Sequence, residues 1–118
     1  EALAVMARFP ALFGPLSRAG APIVGTAGGS AIGGVVDRLT VEETQVTVLD
    51  YKTDRPAPVD ATAAPPGYVL QMSLYREVLR QIFPGRNVVC ALLWTEAPLL
   101  MWLAPAQLDA ALIAYQRG

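Results

Sequence analysis

Asp50 and Lys52 stand one residue apart at the end of the run Val46–Thr47–Val48–Leu49–Asp50–Tyr51–Lys52, whose β-branched and aliphatic content reads as a strand. Side chains two positions apart on a strand share a face, about 6–7 Å from one another. The face therefore begins apolar, at Val46 and Val48, and ends in an acid and a base. At many strand ends such a pair is a surface ion pair of little energetic weight. Two features argue for more here. Lys52 is the only lysine in the chain, and Asp37 interrupts the preceding apolar run between Val35 and Leu39, where a solvated carboxylate has no packing role. Two carboxylates brought together repel, and one must take up a proton unless a cation lies between them. Mg²⁺ suits that position, because it takes one or two protein carboxylates and keeps water and phosphate oxygens for its other ligands. An ammonium beside it would hold the attacking water and steady charge building on a phosphate. The chemistry in reach of these residues is metal-assisted hydrolysis.

The two acids must share a face, and that sets a register. If Asp37 lies opposite Asp50, residue 42 pairs with 45 and Glu43–Thr44 is a two-residue turn; pairing 41 with 45 would send Asp50 to the opposite face. A bulge near Gly33–Gly34 or Asp50 could also restore the arrangement.

The elements that must position the cluster follow from periodicity. Glu1 to Phe13 has a helix-like spacing at Leu3, Met6, Ala7 and Phe9 interrupted by Pro10 and Pro15, so a short helix ending near Phe9 is expected. Pro22–Gly25 reads as a brief strand and Thr26–Ser30 as a turn. Ile32–Val41 and Gln45–Thr53 form the expected hairpin. Asp54 to Pro66 holds four prolines and reads as an exposed connection. Tyr68 to Phe83 is the strongest helix, with Leu70, Leu74, Val78 and Ile82 as its apolar row and Pro84–Gly85 as its stop. On it Gln71 and Tyr75 lie one turn apart, where a glutamine at the margin of a core-facing stripe needs a polar partner; the Asp50–Lys52 pair is one candidate, and a plain rim position is the other. Asn87–Thr95 is apolar enough to be a central strand, Pro98–Leu103 is a further strand, and Pro105 to Tyr115 is a closing helix with Leu108, Leu112 and Tyr115 in phase. The order predicts an α/β fold, a central mixed β-sheet flanked by α-helices.

Composition narrows the function classes. The length of 118 residues with 53% hydrophobic content fits one domain, residues 1–118, and the opening on Glu1 leads us to expect a longer parent sequence. Nine basic against ten acidic residues give a net charge of −1, too little for long-range attraction to nucleic acid or an anionic membrane. With no histidine and one cysteine, Cys90, the chain offers no zinc site, iron–sulfur cluster or Ser-His-Asp triad. Cys90 sits in an apolar run and reads as a small buried hydrophobe. The uncharged stretch 19–36 is broken by Pro22 and six glycines, so it is not a membrane span; it also lacks the Gly-Lys-Ser/Thr of a phosphate-binding loop. No secretory signal is recognisable, and a cytoplasmic location is the expectation.

Three strings now stand together: Gly34–Val35–Val36–Asp37–Arg38–Leu39, Val48–Leu49–Asp50–Tyr51–Lys52–Thr53, and Gly67–Tyr68 with Gln71–Met72–Ser73–Leu74–Tyr75. They resemble the signature G-x-[IV]-D-R-[IVL], [IV]-x-D-Y-K-T, Q-x-x-x-Y of the RecB-like PD-(D/E)XK nucleases, and most closely the nuclease domain of the AddA-type helicase-nucleases. The segments Phe83–Arg86 and Cys90–Thr95 strengthen the likeness, which spans roughly residues 20 to 112. The resemblance implies a restriction-endonuclease-like core and a DNA exonuclease acting in double-strand break repair and recombination. It implies Asp37, Asp50 and the backbone carbonyl of Tyr51 as ligands of Mg²⁺ or Mn²⁺, Lys52 as catalytic, and Gln71, Tyr75, Arg38 and Thr53 as residues that bind DNA or orient the site. It further implies DNA, helicase domains of the same polypeptide and an AddB-like subunit as partners, with ATP used only in the helicase part and no role for a membrane. Three departures stand out. The family's metal-site histidine has no counterpart, Gly20–Ala21 stands where an acidic residue is frequent, and Asp54 replaces the more usual asparagine. The competing readings are a nuclease-like scaffold that binds DNA or helicase subunits without cutting, and a small-molecule enzyme built on the same sheet.

Overall fold

The computed structural model describes residues 10–54, 56–96 and 98–118. A five-stranded sheet runs in sequence order, β1 (Ser17–Ala27), β2 (Ser30–Val41), β3 (Gln45–Lys52), β4 (Asn87–Trp94) and β5 (Leu99–Trp102). Two helices accompany it, α1 (Pro66–Ile82) and α2 (Pro105–Arg117). β1, β2 and β3 are an antiparallel meander, β4 lies parallel to β3, and β5 returns antiparallel to β4. The sheet is therefore mixed. Its parallel step needs a crossover, and α1 supplies it. Of the helix expected before Phe9, the part over Glu1 to Phe9 lies outside the described residues; Pro10–Phe13 is a single 3₁₀ turn.

The two faces of the sheet are covered unequally. On one, Ile23, Val36, Val46, Val48, Cys90 and Leu92 pack against Met72, Val78 and Leu79 of α1, and Leu108 of α2 joins the same core. On the other, Leu49, Ala91 and Leu93 meet Leu12, with Phe13 and Leu100 at the margin. Both helices thus belong to one layer. Cys90 is fully buried, and burial pushes its thiol up to about 12, which agrees with its reading as a hydrophobe.

α1 buries a different row from the one its periodicity proposes. Val69, Met72, Ser73, Tyr75, Val78 and Leu79 are its buried residues, while Leu70 and Leu74 are half-buried and Ile82 is 50% exposed. The row Leu70–Leu74–Val78–Ile82 follows i+4 spacing, and such rows are inclined to the helix axis. It crosses the contact face near Val78 and leaves it at both ends. The sequence also foreshortens β1, which extends back from Pro22 to Ser17 because β2 is long enough to pair with all of it. β4 has neighbours on both sides, though the middle position belongs to β3.

Polar contacts tie the two helices to the strands and to each other. The Gln81 amide donates to the Thr26 carbonyl at 2.9 Å, Arg76 pairs with Asp109 of α2 at 2.6 Å, and the Tyr115 hydroxyl meets Ser30 Oγ at 3.1 Å. In the middle, α1 approaches β2 so closely that a Cβ on Gly34 would collide with the Tyr75 hydroxyl. The buried face of α1 is open to a direct comparison. Met72→Ala should cost about 2–5 kcal/mol in a urea melt, whereas Ile82→Ala should stay within about 0.5 kcal/mol. Equal costs would mean that the helix is rotated from the face described.

Candidate active site

The hairpin of β2 and β3 has the register the acids require. Val41 pairs with Val46 and Arg38 with Leu49, and Glu42 N–H donates to the Gln45 carbonyl at 2.8 Å, leaving Glu43–Thr44 as the turn. Continued by one step, the same register sets Asp37 across from Asp50. The ladder stops just short of that step. Hydrogen-bonded pairs recur at every second residue, so Tyr51 N–H should next seek a carbonyl of β2; it donates instead to Asp37 Oδ2 at 2.8 Å. In return Asp37 N–H donates to Asp50 Oδ1 at 3.1 Å. Each carboxylate thus takes a backbone donor from the other strand.

This exchange needs a local rotation of β2. Val36 and Leu39 both face the helix layer although they are three residues apart, so the alternation of faces slips by one between Val36 and Arg38. On the neighbouring strand the pairing runs Ala19 to Arg38 and Ala21 to Val36, and the step between them falls at Gly20, whose φ is 60°. A left-handed residue at that point is cheap only as glycine. The distortion lies at Asp37 itself, in place of the bulge sites at Gly33–Gly34 or Asp50 that the sequence offered. It turns the Asp37 N–H from β1 toward Asp50.

Asp50 is 5% exposed. Burial pushes its carboxyl above the usual carboxylate range; the Asp37 N–H and the Lys52 ammonium oppose that shift and the Asp37 charge adds to it. Its second oxygen lies 3.9 Å from Lys52 Nζ. Lys52 in turn stands 4.0 Å from the centre of the Tyr68 ring, at the first turn of α1. Gln71 and Tyr75 complete the helix side: the Gln71 amide lies 3.5 Å from the Tyr75 hydroxyl. Burial raises the Tyr75 phenol above its ordinary value, and the charges of Asp50 and Asp37 raise it further. Asp37, Asp50, Lys52, Gln71 and Tyr75 therefore gather on the helix side of the sheet, beside a groove of about 320 Å³ that Gln71, Tyr75, Gly33 and Gly67 help to line.

Arg38 and Thr53 do not join them. Arg38 points to the opposite face, where Nε donates to Ser17 Oγ at 2.8 Å and the guanidinium lies 5.1 Å from the Phe13 ring centre. Tyr51 shares that face, its ring stacked on Phe13 at 6.4 Å, with its phenol raised by burial and lowered in part by Arg38. Thr53 is exposed just past the end of β3. The Tyr51 main chain is a different matter: the N–H and C=O of one strand residue point the same way, so its carbonyl is directed toward the Asp37 side of β3, where β2 has left the ladder. Tyr68 is the residue that strand and helix patterns alone gave no role. Its helical spacing of three from Gln71 and seven from Tyr75 was the available signal.

The donor set fits a divalent cation in character. Two carboxylates occupy one cross-strand step and one is held above its normal range, a conflict that a cation relieves. Among the described residues no three acidic, histidine or cysteine side chains converge on a metal position, so backbone carbonyl, water and substrate oxygens would have to complete the shell.

The family model that matches this sequence covers residues 4–111 and describes the PD-(D/E)XK nuclease superfamily. The chain belongs to that superfamily. Its nucleases generally use divalent metals. Comparison with curated proteins returns no match. Among solved structures, the fold is similar to that of a candidate exonuclease from Eubacterium rectale, with a TM-score of 0.70 and 16% identity over 98% of this chain and 48% of that one. It is also similar to the protein SSO0001, with a TM-score of 0.50 and 12% identity over 97% of this chain and 56% of that one. The chain spans about half the length of these relatives, and at such identities the likeness is one of fold. Among the described residues no helix is long and apolar enough to cross a membrane.

The raised Asp50 carboxyl has a measurable consequence in the absence of metal. A folded-state value above the unfolded one means that the native chain binds more protons between the two, so stability falls as pH rises through that window. In chelator, Asp50→Asn, which removes the buried charge and keeps an acceptor for Asp37 N–H, should be more stable than wild type at neutral pH. The gap should close as pH falls toward 3.8, the ordinary aspartate value. Urea melts at several pH values check this; an Asn variant less stable at neutral pH would show that the ionised carboxylate is a net stabiliser.

Proposed function

We propose that this chain is the catalytic core of a metal-dependent DNA exonuclease, with Asp37 and Asp50 as the metal carboxylates and Lys52 as the catalytic cation. The observation that carries the reading is the reciprocal backbone bonding of Asp37 and Asp50, which fixes two acids at one step with a lysine 3.9 Å from one of them. Asp37, Asp50 and the Tyr51 carbonyl would hold Mg²⁺ or Mn²⁺, which when bound supplies Lewis-acid stabilisation of charge on the phosphate and on an attacking water. Asp50 is preorganised for this role, since its rotamer is held by Asp37 N–H. The Lys52 ammonium would donate a hydrogen bond to the attacking oxygen and stabilise its negative charge as the water gives up its proton to solvent. The new phosphorus–oxygen bond forms as the bond to the leaving sugar oxygen breaks, and that oxygen takes a proton from solvent. Gln71, at the mouth of the groove, and the Tyr75 hydroxyl behind it would orient the strand or the carboxylates.

On the sequence signature alone, we extend the proposal to the nuclease domain of an AddA-type helicase-nuclease working in double-strand break repair. Its partners would then be DNA, helicase domains of the same polypeptide that consume ATP, and an AddB-like subunit. Arg38, turned to the opposite face, would serve by holding the Phe13 segment against the sheet, and Thr53 would meet DNA from the exposed end of β3. The rival is a nuclease-like scaffold, favoured by the absence of a third acidic or histidine ligand among the described residues.

Release of nucleotides from linear DNA in Mg²⁺ or Mn²⁺ tests the proposal. Asp37→Ala, Asp50→Ala and Lys52→Ala should each reduce cleavage at least about 10²-fold, the scale expected for loss of a charge-stabilising group. Cleavage that survives these changes removes the role assignments. Calorimetric titration with Mn²⁺ separates the rivals, because binding lost in Asp37→Ala is expected of the nuclease and a scaffold should bind no ion through that residue.

A further inference from the structure

The aromatic ring next to Lys52 is held by a residue with no part in the acid pair. Tyr68 Oη lies 2.9 Å from Asp54 Oδ1 and 3.0 Å from Oδ2, so its hydroxyl proton is donated into one carboxylate. Its ring packs against Trp94, 6.1 Å between centres, and Trp94 is 1% exposed and pairs with Lys52 in the parallel ladder. The ring is thus fixed at its tip by Asp54 and along its side by Trp94. Over its face stands the Lys52 ammonium, 4.0 Å from the centre. Strand and helix are joined here by a contact between residues sixteen positions apart in sequence.

We propose that Tyr68 and Asp54 are positioning residues for Lys52: the Tyr68 ring is a cation–π seat that fixes the ammonium beside Asp50, and Asp54 fixes and electronically strengthens that seat. The inference rests on the role given to Lys52 above. A lysine side chain is a flexible four-carbon stem with a strongly hydrated head, and 14% side-chain exposure leaves its ammonium short of water. An aromatic face replaces part of that lost hydration by attracting the cation to its negative quadrupole. A phenol that donates to a carboxylate carries more electron density in its ring than a free phenol, so the attraction grows. A seat of this kind holds the ammonium without consuming its N–H donors, which stay available to water and phosphate. A carboxylate in the same place would compete for them. Asparagine at position 54 could accept the phenol proton but would carry no charge to push into the ring.

Because the chain has one lysine, uniform ¹³C-lysine labelling yields a single side-chain spin system, and the ring current of Tyr68 reports directly on the seat. The Lys52 Hε resonances of the wild-type chain should lie upfield of free lysine. Tyr68→Leu should return them toward the free value, Tyr68→Phe should keep most of the upfield shift, and Asp54→Ala should fall between. Wild-type resonances at the free-lysine position, or resonances that Tyr68→Leu leaves in place while the rest of the spectrum is retained, overturn the proposal. In cleavage assays Tyr68→Leu should lower kcat by about tenfold with KM for DNA changed by less than about twofold, and Tyr68→Phe should rescue most of the loss; a rise in KM at constant kcat would instead make Tyr68 a DNA contact. If the wild-type protein cleaves no DNA with any divalent ion, the nuclease reading fails on its own, and the resonances still decide whether the seat exists.

Discussion

The structure turns on one exchange of hydrogen bonds. Where β2 leaves β3, the backbone donors of Asp37 and Tyr51 would be stranded, and the side chains of Asp50 and Asp37 accept them. The Asp37–Asp50 bond is part-buried, where an N–H without a partner is costly, so the carboxylates are part of how the sheet ends as well as candidates for chemistry. The same arrangement burdens the fold with a buried acid whose carboxyl lies above its usual range. Strand termination and charge concentration are solved by one device, and the helix layer is arranged around it: Gly34 lets Tyr75 approach, Gly20 lets β1 follow the rotation of β2, and Tyr68 closes over the lysine.

Much of this was legible in sequence, for reasons that can be named. Alternation along Val46–Lys52 put Asp50 and Lys52 on one face, and the short connection at Glu43–Thr44 left few registers to choose from. The register found, Val41 with Val46, is the one that aligns the acids. The mixed sheet followed from strand and helix patterns in order, with the parallel step enforced by the long crossover through α1. The motif strings pointed to the family that the match over residues 4–111 establishes.

Other parts were hidden because they depend on contacts between distant segments. Ser17 to Gly20 carries no strand pattern of its own; it is a strand because β2 offers it partners. The buried face of α1 is hidden in sequence because an i+4 row looks like a stripe there and runs obliquely in space. The slip at Asp37 has no local signature apart from a glycine on another strand. Arg38 illustrates the limit of a motif, since its neighbour in sequence enters the site while its own side chain turns to Phe13 on the far side of the sheet. Tyr68 stands in the third motif string, but only the 4.0 Å distance to Lys52 gives it a neighbour to act on.

The short span of the site also bears on how such a chain can grow. Every side chain gathered on the helix side, from Asp37 through Asp50, Lys52 and Tyr68 to Tyr75, comes from one uninterrupted stretch of sequence, and only Trp94 behind them lies outside it. The tip of the β1–β2 hairpin at Gly28–Gly29 and the connection between β4 and β5 fall beyond its borders. Insertions at the hairpin tip would lengthen the molecule without displacing a single acid, base or ring of the cluster, whereas the β4–β5 connection begins at Thr95, whose N–H and hydroxyl both donate to the Lys52 carbonyl, at 3.0 and 3.4 Å.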